Sequence, residues 1–253
     1  MDLGLKGMTA IITGGTKGIG WAIAETLARE GCAVAICARN PAEVEAAVGR
    51  LESLGVRATG SAVDVSDGAA LKAFVIATGT ALGGIDIVVA NVSALAVGAD
   101  EDSWYKEFET DMMGTVRLVD AAMPFLEASG KGSIVTISSV SGREIDFAAG
   151  PYGTMKAAII HYTQGLAYQL AGKSIRANTV SPGNTKFPGG IWDQIEAGNP
   201  KLFADSLALN PTGRMATPQE IANGAVFLAS PAASFISGTN LVIDGALTRG
   251  VQF

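Results

Sequence analysis

The chain has 253 residues, 48% of them hydrophobic and 17% charged, a balance that excludes intrinsic disorder and suits one domain around one core. A net charge of −6, with no run of Lys and Arg to offset it, excludes a phosphate backbone as the natural partner. The 32 glycines fall at separate turns and show no collagen-like period.

Short apolar runs alternate with helical patterns along the whole chain. Residues 1–7 lack the charged and apolar regions of a signal peptide, so a cytoplasmic protein is expected. Met8 to Thr13 reads as a buried first strand. Lys17 to Glu30 follows as a helix, with Ile19, Ile23 and Leu27 on one face and Gly31 past its end. Ala33 to Ala38 is a second strand. Pro41 opens a helix that ends near Gly55, and Arg57 to Val63 is a third strand. Ser66 or Asp67 caps the next helix.

Residues 73–99 are the most apolar stretch, but Gly79, Gly83, Gly84, Asp86 and Asn91 divide it into helix, turn and a fourth strand, Ile85 to Asn91. No membrane span is expected there. One long helix is expected from about Trp104 to Ala128, then a fifth strand from Ser133 to Ser138 and a helix from Tyr152 to Leu170. Ile175 to Val180 is a sixth strand, Pro218 to Ala229 a helix, and Asn240 to Ile243 a seventh strand. Strands apolar on both faces, separated by helices, predict an α/β fold. It is a doubly wound parallel sheet of the Rossmann type, about seven strands with helices on both faces, in a single domain spanning 1–253.

The first strand runs into Thr13-Gly14-Gly15-Thr16-Lys17-Gly18-Ile19-Gly20 and then a helix. Helix N-termini present unpaired N–H groups and a positive dipole end, and glycine lets a diphosphate approach the backbone. The alternative is a glycine-rich turn that binds nothing. NAD binders commonly end the second strand with an acid on the ribose hydroxyls. Here that end reads Cys37-Ala38-Arg39-Asn40. Arg39 suits a 2′-phosphate, since its planar fork donates two hydrogen bonds and keeps its charge. NADP(H) is therefore the expected cofactor and NAD the alternative, with Arg39 otherwise a solvated strand-end residue.

Tyr152 and Lys156 stand four apart on a helix, so both face one site. A phenol with a pKa of about 10 transfers protons poorly near neutrality. The ammonium and an oxidised nicotinamide are expected to lower that pKa. Ser138 and Ser139 end the fifth strand, at the sheet edge where ligands bind. Either is a candidate donor to a substrate oxygen, or a plain turn residue.

These motifs resemble the short-chain dehydrogenase/reductase family. The turn spacing T-G-x-x-x-G-x-G is the family's, and so is the thirteen-residue step from a serine to Y-x-x-x-K, which selects Ser139. The resemblance covers nearly the whole chain and is greatest to 3-oxoacyl-acyl-carrier-protein reductases. It implies an oxidoreductase in which Tyr152 protonates a carbonyl oxygen held by Ser139, while Lys156 holds the nicotinamide ribose. It implies that Gly14, Thr16, Lys17, Gly18, Ile19 and Gly20 hold the cofactor, with Lys17 and Arg39 near the 2′-phosphate and Asp64 and Val65 against the adenine. Asn91 matches the surviving asparagine of an N-A-G turn that stabilises the sheet. Pro182 and Gly183 match the turn beside the nicotinamide, and Thr185 is carried over as its carboxamide partner. Phe187 stands where the family threonine is usual.

Asp111 replaces an asparagine whose backbone carbonyl is thought, in the family, to hold a water linking lysine to solvent. The resemblance also implies a homo-oligomer, dimer or tetramer, through the two long central helices and the C-terminal end. The substrate is a small carbonyl, alcohol or acyl thioester. Competing readings are a nucleotide-binding regulatory protein without turnover, and an epimerase or dehydratase without net redox.

The segment from Lys186 to Asn210 reads as a substrate lid or as an amphipathic helix packed on the core. His161 lies two and a half turns beyond Tyr152 and points away from the site. Cys32 and Cys37 read as buried thiols, and no metal site is expected.

Overall fold

Runs of small and β-branched residues form one sheet, in a computed structural model that describes residues 2–251. The strands are β1 (Thr9–Thr13), β2 (Ala33–Ala38), β3 (Ala58–Ala62), β4 (Ile87–Ala90), β5 (Ser133–Ile137), β6 (Arg176–Pro182) and β7 (Asn240–Ile243). All pair in parallel, in the order β3-β2-β1-β4-β5-β6-β7. The order reverses between β1 and β4, which opens a crevice at their carboxyl ends. Register aligns those ends, with Thr13 opposite Cys37 and Ala38 opposite Ala62.

Alternation along the strands feeds two cores. Ile12, Val34 and Val89 pack against α1 (Gly18–Arg29), α2 (Pro41–Glu52) and the last helix, Pro218–Ala229. Ile11, Ala35 and Val88 face the other way, toward α3 (Gly68–Leu82) and the central helices. Asn40 caps α2, which ends at Glu52 rather than near Gly55. Asp67, not Ser66, caps α3 by accepting from the amides of Ala69 and Ala70.

The single helix expected from Trp104 to Ala128 is a correction. The chain forms α4 (Glu101–Glu107), a π-helical segment (Phe108–Met113) and α5 (Gly114–Ser129). Asp100 accepts from the Ser103 amide and so starts α4 three residues before Trp104. The widened turn lies where Gly114 packs beside Val65, so close that a Cβ on the glycine would sit 3.1 Å from a Val65 methyl. Pi turns of this kind are single departures inside α-helices, often at functional sites.

Then comes α6 (Pro151–Leu170), followed after β6 by α7 (Ile191–Gly198), α8 (Pro200–Ala208) and α9 (Pro218–Ala229). Trp192 of α7 is buried between Phe147 and Phe203, at ring separations of 5.9 and 6.5 Å. Among the described residues no helix is long and apolar enough to cross a membrane, and no cluster of His, Cys, Asp and Glu could hold a metal. Cys32 and Cys37 are free and buried, and burial pushes both thiols up to about 12.

Candidate active site

Two groups of residues meet at the crevice. The first is the glycine turn between β1 and α1. Gly14 and Gly18 adopt φ of +68° and +56°, which L side chains rarely take. A Cβ on Gly20 would lie 2.2 Å from the Gly14 carbonyl oxygen, so the turn closes on its own backbone. Asn91, after β4, donates its side-chain amide to the carbonyls of Thr13 and Gly14. It thereby braces the turn from beneath. Lys17 sits at the N-cap of α1, with no side chain accepting from the first amides of the helix. These N–H groups and the close-packed glycines fit a diphosphate.

Around the turn, Arg39 is exposed at the end of β2, and its charge helps hold the Asp64 carboxyl below the ordinary range, after the larger effect of hydrogen bonds from Ser66. Asp64 is thus a turn aspartate, and Val65 beside it is buried. Lys17 lies 4.0 Å from Glu43, which also accepts from the Thr16 hydroxyl. Glu43 was not singled out by the sequence. An exposed acid one turn into a helix carries no signal beyond the helix dipole. Ile19 packs partly buried on the first core.

On the far side of the crevice, Pro182 ends β6 and Gly183 abuts Asp244, where a Cβ would meet carbon at 2.7 Å. Thr185 is buried and donates its hydroxyl to the Gly183 carbonyl at 3.0 Å. That leaves the oxygen lone pairs as acceptors. Phe187 rests its ring on Gly18, joining the two sides of the crevice.

The second group lies deeper. Ser138 donates to the Lys156 carbonyl and is structural. Ser139 accepts from the Ser141 amide, and its hydroxyl lies close enough to Tyr152 to favour the phenolate. Lys156 is only 2% exposed; its ammonium donates to the Ile137 carbonyl at 3.2 Å and sits 5.5 Å from the Tyr152 ring centre.

The Asp111 backbone carbonyl accepts from the Thr115 hydroxyl at 2.6 Å. The Asp111 carboxylate lies 2.9 Å from the Lys156 ammonium, both side chains being almost wholly buried. With no nicotinamide charge beside it, Tyr152 stands above its ordinary value although Lys156 pulls it down. Burial pushes its hydroxyl above the ordinary range, and the carboxylates of Asp111 and Glu107 add to this, outweighing Lys156 and Ser139. Burial alone would pull Lys156 down, but Asp111, Tyr152 and Glu107 hold it above its ordinary value. Before cofactor arrives the site therefore holds a phenol beside an ammonium.

Glu107 was missed by the sequence reading. It has no exposed surface, accepts from the Ala96 amide at 2.5 Å, and is pushed up to about 7 by burial and by Asp111. An acid four residues before another acid is ordinarily assigned to solvent, because like charges repel at that spacing. His161 lies exposed on α6, away from this group.

The family model described as Enoyl-(Acyl carrier protein) reductase matches residues 14–248. Isoepoxydon dehydrogenase patN of Penicillium expansum is 40% identical over 258 residues, covering 100% of this chain and 99% of that protein. The 3-oxoacyl-[acyl-carrier-protein] reductase FabG of Vibrio cholerae is 31% identical, covering 97% and 99%. In structure, L-sorbose reductase of Gluconobacter frateurii, solved with NADPH and L-sorbose, superposes with a TM-score of 0.89 at 30% identity, covering 99% and 100%.

Proposed function

Because the chain belongs to the short-chain dehydrogenase/reductase family, we propose that it moves a hydride between NADP(H) and a ketone or secondary alcohol. When bound, the nicotinamide supplies or accepts that hydride. The glycine turn, from Gly14 to Gly20, binds the diphosphate through its amides, and Arg39 with Lys17 takes the 2′-phosphate. Asp64 and Val65 border the adenine. Pro182, Gly183 and Thr185 orient the carboxamide, and Lys156 the ribose hydroxyls. Ser139 holds the substrate oxygen, and Tyr152 gives it a proton.

The observation that carries this reading is the meeting of Ser139, Tyr152 and Lys156 at one site, with the Lys156 ammonium 5.5 Å from the Tyr152 ring and buried against Asp111. A proton donor is what ketone reduction requires. Asp111 is an ion-pair partner here rather than a lost function, which favours catalysis over a regulatory nucleotide binder. NADPH in the L-sorbose reductase structure supports the cofactor assignment. Trp192, Phe147 and Phe203 support a lid over 186–210 with an apolar underside. Exposed Tyr105 on α4 and Tyr168 on α6 support a homo-oligomer through those helices.

The substrate names among relatives cover isoepoxydon, an acyl-carrier-protein thioester and L-sorbose, so the test is a panel. NADPH and NADH consumption is followed with ketones that include 3-oxoacyl thioesters and L-sorbose, and isoepoxydon is tried in the oxidative direction. Turnover with NADPH preferred is expected. Tyr152→Phe should lower kcat by about 10²–10⁴ while NADPH still binds. Tight NADPH binding with no turnover across the panel would replace the catalyst by the regulatory reading.

A further inference from the structure

Glu107 and Asp111 stand on either side of the junction between α4 and the π-helical segment, and both are fully buried. Each ties one oxygen to the loop that follows β4, Asp111 to the Ala94 amide at 2.8 Å and Glu107 to the Ala96 amide. Each has one oxygen left. Glu107 Oε2 and Asp111 Oδ2 are buried without a hydrogen-bond donor among the described residues. The Lys156 ammonium contacts Asp111 Oδ2 at 2.9 Å, but off the direction of a hydrogen bond.

Glu107 and Asp111 lie four apart on one helical run, each with one unpaired buried oxygen. Burial together with Asp111 raises Glu107 to about 7, so the pair holds a proton below that pH. The groups facing Glu107 are few. Asp111 comes from the same helical run, Lys156 and Tyr152 from α6, and the loop Val92–Gly98 supplies only amides and no titratable side chain.

We propose that Glu107 and Asp111 share one proton between their free oxygens and return it, through Lys156, to Tyr152 in each ketone-reduction cycle, an inference that rests on the oxidoreductase reading above. The balance closes. Tyr152 loses a proton to the substrate oxygen and is recharged from the Lys156 ammonium. Lys156 takes the pair's shared proton, and the pair is refilled from solvent beneath the 92–98 loop, where Leu95 and Val97 are exposed. No electrons move in this relay. Glu107 touches no reacting atom and is a positioning residue that also stores a proton. The pair replaces a solvent-linked water with a titratable group, so the supply of protons acquires its own pH dependence.

The decisive variant is Glu107→Gln, which keeps the shape and the acceptor for Ala96 but has no acidic proton. In the full-length enzyme, kcat for reduction should fall as pH rises through about 7, and kcat for oxidation should rise through the same pH. Glu107→Gln should remove both limbs. At pH 6 it should lower reductive kcat about tenfold, less than the 10²–10⁴ of a direct acid, with KM and NADPH affinity unchanged. Glu107→Asp should restore a limb. Unaltered limbs in Glu107→Gln, or a loss shared equally by kcat and KM, would overturn the proposal.

Infrared difference spectra of the wild-type protein give a readout independent of turnover and of that variant's folding. A protonated-carboxyl stretch should vanish as pH passes about 7. It should shift in Asp111→Asn. No such band means no shared proton, whatever the substrate panel shows. A band without any ketone turnover would uphold the shared proton, but would overturn its delivery to a reaction.

Discussion

The two sides of the crevice solve different electrostatic problems. The cofactor side is shallow and works through backbone amides, glycine cradles and exposed cations such as Arg39 and Lys17. The deep side buries Glu107, Asp111 and Lys156, with Tyr152 held among them. On the first side water and salt moderate every interaction, so single charges are worth little and geometry decides. On the second, charges are removed from water and must balance one another, so removing one changes all the others. A phosphate ligand is recognised by shape, whereas a proton is held by charge balance.

The sharpest way to break that contrast is Lys156→Met. It leaves two carboxyls buried with no cation, and should destabilise the fold by about 3–5 kcal/mol in urea unfolding at pH 8. The loss should shrink toward pH 5, where Glu107 carries its proton. A cost that does not vary with pH would mean that the pair is not electrostatically linked to Lys156.

A smaller effect should appear in the pH dependence of stability. Glu107 titrates near 7 in the folded chain against an ordinary 4.5. Its folded form keeps a proton that the unfolded chain gives up. The contribution is therefore fully present below 4.5 and lost as pH rises through about 7. Between pH 5 and 8 the wild type should lose up to about 3 kcal/mol relative to Glu107→Gln. Parallel stability curves for the two proteins would contradict the shift.

The smallest effect belongs to the exposed side. Arg39→Ser should weaken NADPH about tenfold, as expected for a charge-assisted hydrogen bond in contact with water, and leave NADH unchanged. Titrations in rising salt should shrink the difference, since the Debye length falls to about 3 Å at 1 M. Equal weakening of both nucleotides would move Arg39 away from the 2′-phosphate.

Sequence patterning revealed the sheet, its seven strands and the glycine turn, because each rests on local chemistry. Alternating cores, helix caps and positive-φ glycines are written within a few residues of where they act. Tyr152 and Lys156 were equally legible, since one helical turn brings them together. Asp111 was visible as a residue but not as an ion-pair partner, because its carboxylate reaches across to Lys156 on α6, a contact that no local pattern encodes. Glu107 was invisible, since helical periodicity sends two acids four apart to solvent. The π turn escaped for the same reason. It lies against α6 and ends where Gly114 meets Val65, contacts that the residues of the turn do not announce.

That turn gives the molecule an unusual sensitivity to counting. A π segment carries a residue more than α geometry needs, and each α-helical residue rotates the chain by about 100°. Deleting one residue among 108–110 would restore a regular helix and turn α4 by about 100° relative to α5. Both acids would keep their identities and, three apart, a shared face, but α4 would meet α6 and the 92–98 loop in another register. Chain length in this stretch therefore sets how the pair is presented as much as the residues themselves do.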